Sequence, residues 1–347
     1  TARPARAGFL GARFLGARVS GARDALPSDA DIGLAALVVT YQRLGPLQRT
    51  VARLRAEPVD RICIVDNGST DGTREWLSSL DEPRLRLIHA PRNLGGAGGF
   101  ETGLRLLTER DDPDWVLLMD DDARPCPGAV AAFRAGRPWG WDVVSAAVYG
   151  PCGGIAEINR PTVNPFWDGA TFWRTLRRVA LGRARAGFHL PDAAYAGPPR
   201  EIDATSFVGL FLSRRAIAQG GFPDGRLFLY GDDVLYTLGL RQAGLRIGFV
   251  PDIRFEHDGG RAGQRRYAPV WKAYYGTRNG IHMYRAAAGP LFLPAMAVVL
   301  AQWLLAGRHY GAERRAYYRL LWRGLRDGAA GRLARPHAEV LRLARPR

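Results

Sequence analysis

Lysine is nearly missing from this chain. Of 49 basic residues among 347, Lys272 is the single lysine and the rest are arginines, set against 33 acids for a formal net charge of +16. A GC-rich genome would give that preference without any function, so the placement of the charge says more than its size. Residues 307–347 hold eleven arginines against Glu313, Asp327 and Glu339, a net of +8. Charge alone leaves nucleic acid, anionic lipid and a polyphosphate substrate open as partners. Cysteine is scarce too: Cys63, Cys126 and Cys152 are odd in number and lack CxxC spacing. Neither a disulfide framework nor a zinc site is indicated, and a reducing compartment is the simplest setting. Residues 1–31 repeat Arg, Ala and Gly and lack the continuous apolar core of a secretion signal. They faintly resemble an organellar targeting peptide, but a disordered or flexible N-terminal extension is expected. No internal repeat is visible. The apolar stretch Leu291–Ala306 is interrupted by Pro294 and Gln302 and falls short of the ~20 residues a membrane span needs. A buried or interfacial helix is the expectation there.

What is present suits a large folded core, with 47% hydrophobic and 24% charged residues. From 32 to 150 the pattern alternates strand and helix. Strands are expected at Leu34–Thr40, Arg61–Val65, Leu85–His89, Trp115–Met119 and Asp142–Tyr149. Helices are expected after Pro46, from about Gly72 to Leu80, and after Gly98. Such βα alternation specifies an α/β fold with a mostly parallel sheet flanked by helices. Ligands bind such sheets outside the carboxyl ends of the strands. The polar clusters Thr40-Tyr41, Asp66-Asn67, Arg92-Asn93 and Asp120–Asp122 all fall there. Residues 151–260 are less regular and rich in Gly and Pro, as a substrate-shaping half would be. Residues 261–347 read as a C-terminal helical, basic extension. Within it Tyr317, Tyr318, Leu321, Trp322 and Leu325 share one helix face, opposite Arg315, Arg319, Arg323 and Arg326. That pattern fits a basic helix on an anionic membrane, and equally a core-packed helix with a solvated arginine face.

Five features carry chemistry. Asp120-Asp121-Asp122 ends an apolar strand, where buried charge persists only when paired, hydrogen-bonded or metal-bound. Alternation points Asp120 and Asp122 one way and Asp121 the other, and two carboxylates on one side suit Mg²⁺ or Mn²⁺ carrying phosphates. A solvated acidic turn is the competing reading of the triplet alone. Asp66 closes its strand several residues ahead of any helix cap, where a carboxylate fits the N3–H of uracil or thymine. Asn93-Leu94-Gly95-Gly96-Ala97-Gly98-Gly99 is a glycine-rich loop entering a helix, the kind that lets backbone N–H groups approach phosphate. It follows the third strand and lacks a P-loop ending, so neither a dinucleotide nor a P-loop fingerprint applies. Gly231-Asp232-Asp233-Val234 sets two acids at a helix mouth; Asp233 suits a cap, and the pair suits a general base. His257 lies in what reads as a polar, Gly-rich turn.

In order and spacing these motifs resemble the inverting nucleotide-sugar glycosyltransferases with a GT-A (Rossmann-like) fold. The likeness is greatest to bacterial galactofuranosyltransferases, with rhamnosyltransferase relatives close behind. It runs from about Leu34 to Asn279 and includes Tyr274-Tyr275-Gly276-Thr277-Arg278-Asn279. The resemblance implies a nucleotide-sugar-binding half at 32–150 and an acceptor and catalytic half at 151–260, with a membrane-associating, basic helical region expected at 261–347. It implies that Thr40 and Asp66 hold the nucleobase, and that Asn93, Gly95 and Gly96 face the donor. Asp121 would lie against the ribose or sugar. Asp120, Asp122 and His257 would bind Mn²⁺ or Mg²⁺, and Asp232 would be the catalytic base. The chain departs from the galactofuranosyl pattern at Leu235, where an acid often stands. The expected activity is metal-dependent inverting transfer, with galactofuranose from UDP-galactofuranose as the expected sugar. The expected acceptor is a hydroxyl of a lipid-linked or cell-envelope glycan. A dTDP-rhamnose-dependent rhamnosyltransferase is the alternative, and a sugar-phosphate nucleotidyltransferase the alternative from another class. The expected setting is cytoplasmic, peripheral to the inner face of the cell membrane through the C-terminal basic helix, with no nucleic acid partner.

Overall fold

The computed structural model describes residues 33–136, 140–180, 185–259 and 266–345. The expected N-terminal extension lies outside them. In chain order the elements are β1 (Leu34–Thr40), α1 (Leu44–Arg55), β2 (Arg61–Asp66), α2 (Thr73–Ser78), β3 (Leu85–His89), α3 (Gly95–Arg110) and β4 (Trp115–Asp120). There follow β5 (Ala123–Pro125), α4 (Ala129–Ala135), β6 (Val143–Tyr149), α5 (Gly169–Ala180), α6 (Arg185–Phe188), β7 (Arg200–Ile202) and β8 (Leu210–Ser213). Next come α7 (Arg214–Gly220), α8 (Asp232–Gln242), β9 (Ile247–His257), α9 (Lys272–Ala288), α10 (Phe292–Ala306), α11 (Arg314–Ala329) and α12 (His337–Ala344).

One sheet, ordered β3-β2-β1-β4-β8-β6-β9-β5 with β7 also on β9, runs through both expected halves. β3, β2, β1 and β4 are mutually parallel, as the alternation predicts. Beyond β4 the sheet is mixed: β8 is antiparallel to β4 and β6, while β6 and β9 are parallel. The apolar run of β1 is buried on both faces because helices cover both sides of the sheet. Leu34, Ala36 and Val38 enter one core layer, and Ala35, Leu37 and Val39 the other.

Two helix starts differ from the sequence reading. α1 begins at Leu44, since Pro46 in a first turn has no intrahelical N–H to lose. α3 begins at Gly95 rather than after Gly98, because tertiary packing outweighs the low helix propensity of its glycines.

The C-terminal helices form a third core layer around Tyr274, Tyr275, Tyr310, Tyr317, Leu320 and Leu321. α11 buries Ala316, Tyr317, Leu320, Leu321, Gly324 and Gly328. A Cβ on Gly324 would stand 2.8 Å from the Tyr274 carbonyl oxygen, so only glycine admits this approach of α11 to α9. Of the two readings of this stripe, Tyr317 and Leu321 follow the core-packed one, lying in a helix–helix seam, and of that set only Trp322 is left exposed. Arg319 is used locally as well, donating to the carbonyls of Leu343 and Arg345.

Asp327 anchors the layer. It has no solvent exposure and accepts from Tyr274 Oη at 2.9 Å and Arg335 Nε at 2.6 Å. Burial raises its pKa, but these donors and the nearby Arg323 outweigh burial and leave it below the ordinary carboxylate value. A folded-state pKa below the unfolded one means the stabilisation is complete above the unfolded value and is lost as pH falls through the folded one. Asp327→Ala leaves the Tyr274 hydroxyl without its acceptor and Arg335 with Glu339 alone, and is expected to cost about 3 kcal/mol in urea unfolding at pH 7. The gap between variant and parent should shrink below about pH 4; a gap constant with pH would assign the loss to packing.

Candidate active site

Strand register brings the chemistry to one edge. Thr40 at the end of β1 is level with Asp66 of β2, Val39 is level with Asp120 of β4, and Ala123 of β5 is level with His257 of β9. His257 thus stands at a strand end, not in the Gly-rich turn expected from sequence, because β5 pairs with β9 and extends it. Its Nδ1 lies 2.7 Å from Asn159 Oδ1, and its Nε2 lies 3.2 Å from Asp122 Oδ1. The Asn159 amide nitrogen donates to Ser206 Oγ at 2.9 Å, which fixes its oxygen toward the imidazole. That oxygen can only accept, so the hydrogen bond puts a proton on Nδ1; the ionised Asp122 can also only accept, so Nε2 carries a proton while it pairs with Asp122 and offers its lone pair to a cation once that proton leaves.

Ligand atoms of Asp120, Asp122 and His257 lie within 4.8 Å of one another. Two carboxylates with one imidazole are a donor set for a hard or borderline divalent ion. Among the described residues no donor hydrogen-bonds the Asp120 carboxylate, whose acidity is weakened by burial, with Asp122 adding to this against His257. Asp122 goes the other way: burial would raise it, but His257 and Arg43 bring it to about 2. His257, which burial would keep neutral, is held more basic by Asp122 and Asp120. A cationic guest on these three residues would relieve the repulsion between Asp120 and Asp122. The residues present fit a Mn²⁺ or Mg²⁺ ion.

Asp121 turns away from that cluster. Its Oδ2 accepts from Thr40 Oγ1 at 2.8 Å, and burial pushes its pKa up to about 7 against the pull of Arg43. Arg43 Nη1 reaches Asp121 Oδ1 at 3.4 Å and also pairs closely with Asp122. Thr50 Oγ1, 2.8 Å from the carbonyls of both Asp121 and Ala123, pins the backbone of the triplet from α1.

On the β2 side, Asp66 is buried with Oδ1 accepting from Ser69 N at 2.9 Å and Oδ2 3.3 Å from His89 Nδ1. Asn93 Oδ1 accepts from Gly95 N at 2.8 Å, and Asn67 Nδ2 donates to Gly95 O at 2.9 Å. Gly95 has φ +74°, and a Cβ there would lie 2.0 Å from Phe228 O. The glycine loop is thus laid directly on the segment leading to Asp232. A Cβ on Gly96 would meet nothing within 4 Å.

That leading segment is unusual backbone: Phe228, Tyr230 and Gly231 have φ of +65°, +69° and +75°. For the two aromatics this costs of order 1–3 kcal/mol each and must be held by surroundings. α9 supplies the hold. Asn279 Nδ2 reaches the carbonyls of Leu227, Leu229 and Tyr230 at 3.0, 2.9 and 2.8 Å. The fully buried Arg278 donates to Leu227 O at 2.7 Å. The helix α8 starts at Asp232 itself with Gly231 as its N-cap, so Asp233 is not the cap expected from sequence; its carboxylate accepts from Val234 N at 2.8 Å. Asp232 is buried, and burial raises its pKa, with the charges of Asp233 and Asp120 adding to it.

Sequence reasoning missed Arg43, Asn159 and His89. Arg43 had a signal, a lone base just past the end of β1 at the same sheet edge as three acids. Asn159 had none, since its role exists only through contacts far along the chain.

A nine-stranded sheet flanked by helices, with acidic and glycine-rich loops at its strand ends, agrees with the GT-A fold expected from the sequence. Residues 35–184 match the family model for glycosyl transferase family 2. The chain is 30% identical over 307 residues to galactofuranosyltransferase GlfT1 of Mycobacterium tuberculosis, covering 86% of this chain and 94% of the relative. It is 28% identical over 254 residues to N-acetylglucosaminyl-diphospho-decaprenol L-rhamnosyltransferase of the same species, covering 65% and 75%. In structure it resembles S. aureus TarS 1-349, with a TM-score of 0.51 at 14% identity over 87% of this chain and 82% of that one. The chain belongs to glycosyl transferase family 2 and is a glycosyltransferase.

Proposed function

We propose that this enzyme inverts configuration as it transfers galactofuranose from UDP-galactofuranose to a hydroxyl of a lipid-linked or cell-envelope glycan, in the cytoplasm at the membrane face. One observation favours this donor over dTDP-rhamnose. Similarity to the galactofuranosyltransferase extends over 86% of the chain, against 65% for the rhamnosyltransferase. Asp120, Asp122 and His257 hold the divalent ion, which when bound supplies Lewis-acid neutralisation of the leaving diphosphate. Thr40 orients Asp121 toward the donor's ribose or sugar, and the Arg43 guanidinium adds a second positive charge for the phosphates. Asp66 and Thr40 line the nucleobase end, and Asn93, Gly95 and Gly96 shape the loop under the donor. Asp232 takes the acceptor's proton as its oxygen attacks the anomeric carbon from the face opposite the diphosphate. Burial keeps Asp232 a stronger base than a solvated carboxylate.

A thermal-shift series with UDP-galactofuranose, UDP and dTDP-rhamnose, each with and without Mn²⁺, tests the reading. At a ligand concentration of about a hundred Kd, stabilisation is about 2.7 kcal/mol, a rise of several degrees. We expect it for the uridine ligands with metal. A larger response to dTDP-rhamnose would transfer the assignment to rhamnose, and a UDP response indifferent to metal would remove the ion from the site.

A further inference from the structure

The helical segments α9 and α10 run on from each other over Lys272–His309, long and apolar enough by composition to cross a membrane. Their burial argues for a different placement. α9 is spoken for: Tyr274, Tyr275, Arg278 and Asn279 are buried among α11 and the segment leading to Asp232. That leaves α10, whose 15 residues extend about 22 Å, against a hydrocarbon core of about 30 Å. It folds back on α9, with Trp303 where a Cβ on Gly280 would fall. Only Val299 of α10 is buried. Leu293 is 75% exposed and Leu305 61%, and with Pro294, Ala297, Val298 and Ala301 they make an outward face without a charge.

Cations frame that face. Arg285 stacks over Phe292 at one end. At the other stand the exposed Arg308, Arg314 and Arg315, with Arg314 over the Tyr318 ring and Tyr318 Oη bonded to Leu304 O at 2.8 Å. The acid nearest in sequence, Glu313, faces Arg266 at 3.7 Å. α5 carries a second apolar face. Asn164 Nδ2 donates to Ala287 O at 3.1 Å, tying the loop before α5 to the end of α9, and α5 exposes Trp173 and Leu176 beside Arg177 and Arg178. Apolar residues ringed by arginines are the arrangement of a helix lying in the headgroup layer of an anionic bilayer.

We infer that α10 is the surface by which this enzyme docks in the plane of an anionic lipid bilayer. The basic face of α11 supplies charge at the rim and does not carry the apolar contact. The inference stands whatever the donor. α9 joins the two sites, since Asn279 holds the Asp232 loop and its neighbour Gly280 lies under Trp303 of α10. A lipid-linked acceptor would thus meet the base close to the surface where its lipid is anchored.

The test is co-sedimentation of the full chain with phosphatidylcholine vesicles, with and without phosphatidylglycerol. Binding is expected only with phosphatidylglycerol. Leu293→Asp and Leu305→Asp should each weaken it by about tenfold or more, and Arg314→Glu with Arg315→Glu should abolish the preference for anionic lipid. UDP-induced thermal shift, read on the same samples, should be unchanged, and that keeps a failure of the donor reading separate. Variants that bind vesicles like the parent would overturn the inference. So would a parent that ignores vesicles and forms a dimer dissociated by Leu305→Asp, since the face would then belong to a second copy. Should Leu305→Asp unfold the chain, Leu293→Asp at its more exposed position decides.

Discussion

Asp232→Asn is expected to lower sugar transfer by about 10²–10⁴-fold while leaving UDP affinity within about twofold. The substitution keeps the shape at the first turn of α8 and removes the only thing the mechanism asks of this residue, its ability to take a proton. Asp232 suits the role through its place as well as its type. It opens a helix after three positive-φ positions, Phe228, Tyr230 and Gly231, in a segment that Asn279 and Arg278 hold from α9. Steady-state transfer and UDP titration on the same protein decide the matter. Turnover comparable to the parent would move the base elsewhere, with Asp233 the nearest acid. A parallel loss of UDP binding would show that Asp232 serves the donor.

The second large effect concerns the triad. Asp122→Ala should abolish the Mn²⁺-dependent part of donor binding and cut transfer by at least about a hundredfold. It removes one of two carboxylates in the ligand set and the acceptor facing His257 Nε2. Arg43 also loses a partner, so the fall must be compared with Asn159→Ala, which touches neither the ion nor Arg43. Asn159 holds the imidazole from behind, and loss of such a support typically costs about 10–100-fold in metal affinity. Mn²⁺ titration separates the two variants. If Asp122→Ala retained a metal-dependent UDP shift, the ion would not sit on this triad.

Much of residues 32–150 could be read in the chain. Leu34–Thr40 and Leu85–His89 are strands with the expected limits, because continuous apolar runs bounded by polar clusters leave few alternatives. The acids at those strand ends were visible for the same reason, carboxylates following buried runs. The second half was less legible. β8 and β9 are drawn into the sheet by pairing with β4 and β6 across long sequence separations, which local pattern does not encode. His257 accordingly looked like part of a turn. The helix α11 left two readings open for a related reason. Tyr317, Tyr318, Leu321, Trp322 and Leu325 do share a stripe, but the docked face is rotated toward Leu320, Gly324 and Gly328, where glycine admits the α9 backbone.

By itself the sequence determined the class of fold, the strand ends at which chemistry gathers, and the residue types available there. Those follow from local hydrophobic pattern and the cost of burying charge. Tertiary structure alone decided which acids converge and which part company. Asp120, Asp122 and His257 meet because β4, β5 and β9 are brought to one edge, while Asp121 is drawn aside by Thr40. It also decided that α10, rather than the arginine-rich α11, presents an open apolar face. Burial is a property of neighbours, and a helix's pattern shows that it has an apolar side without showing what covers it.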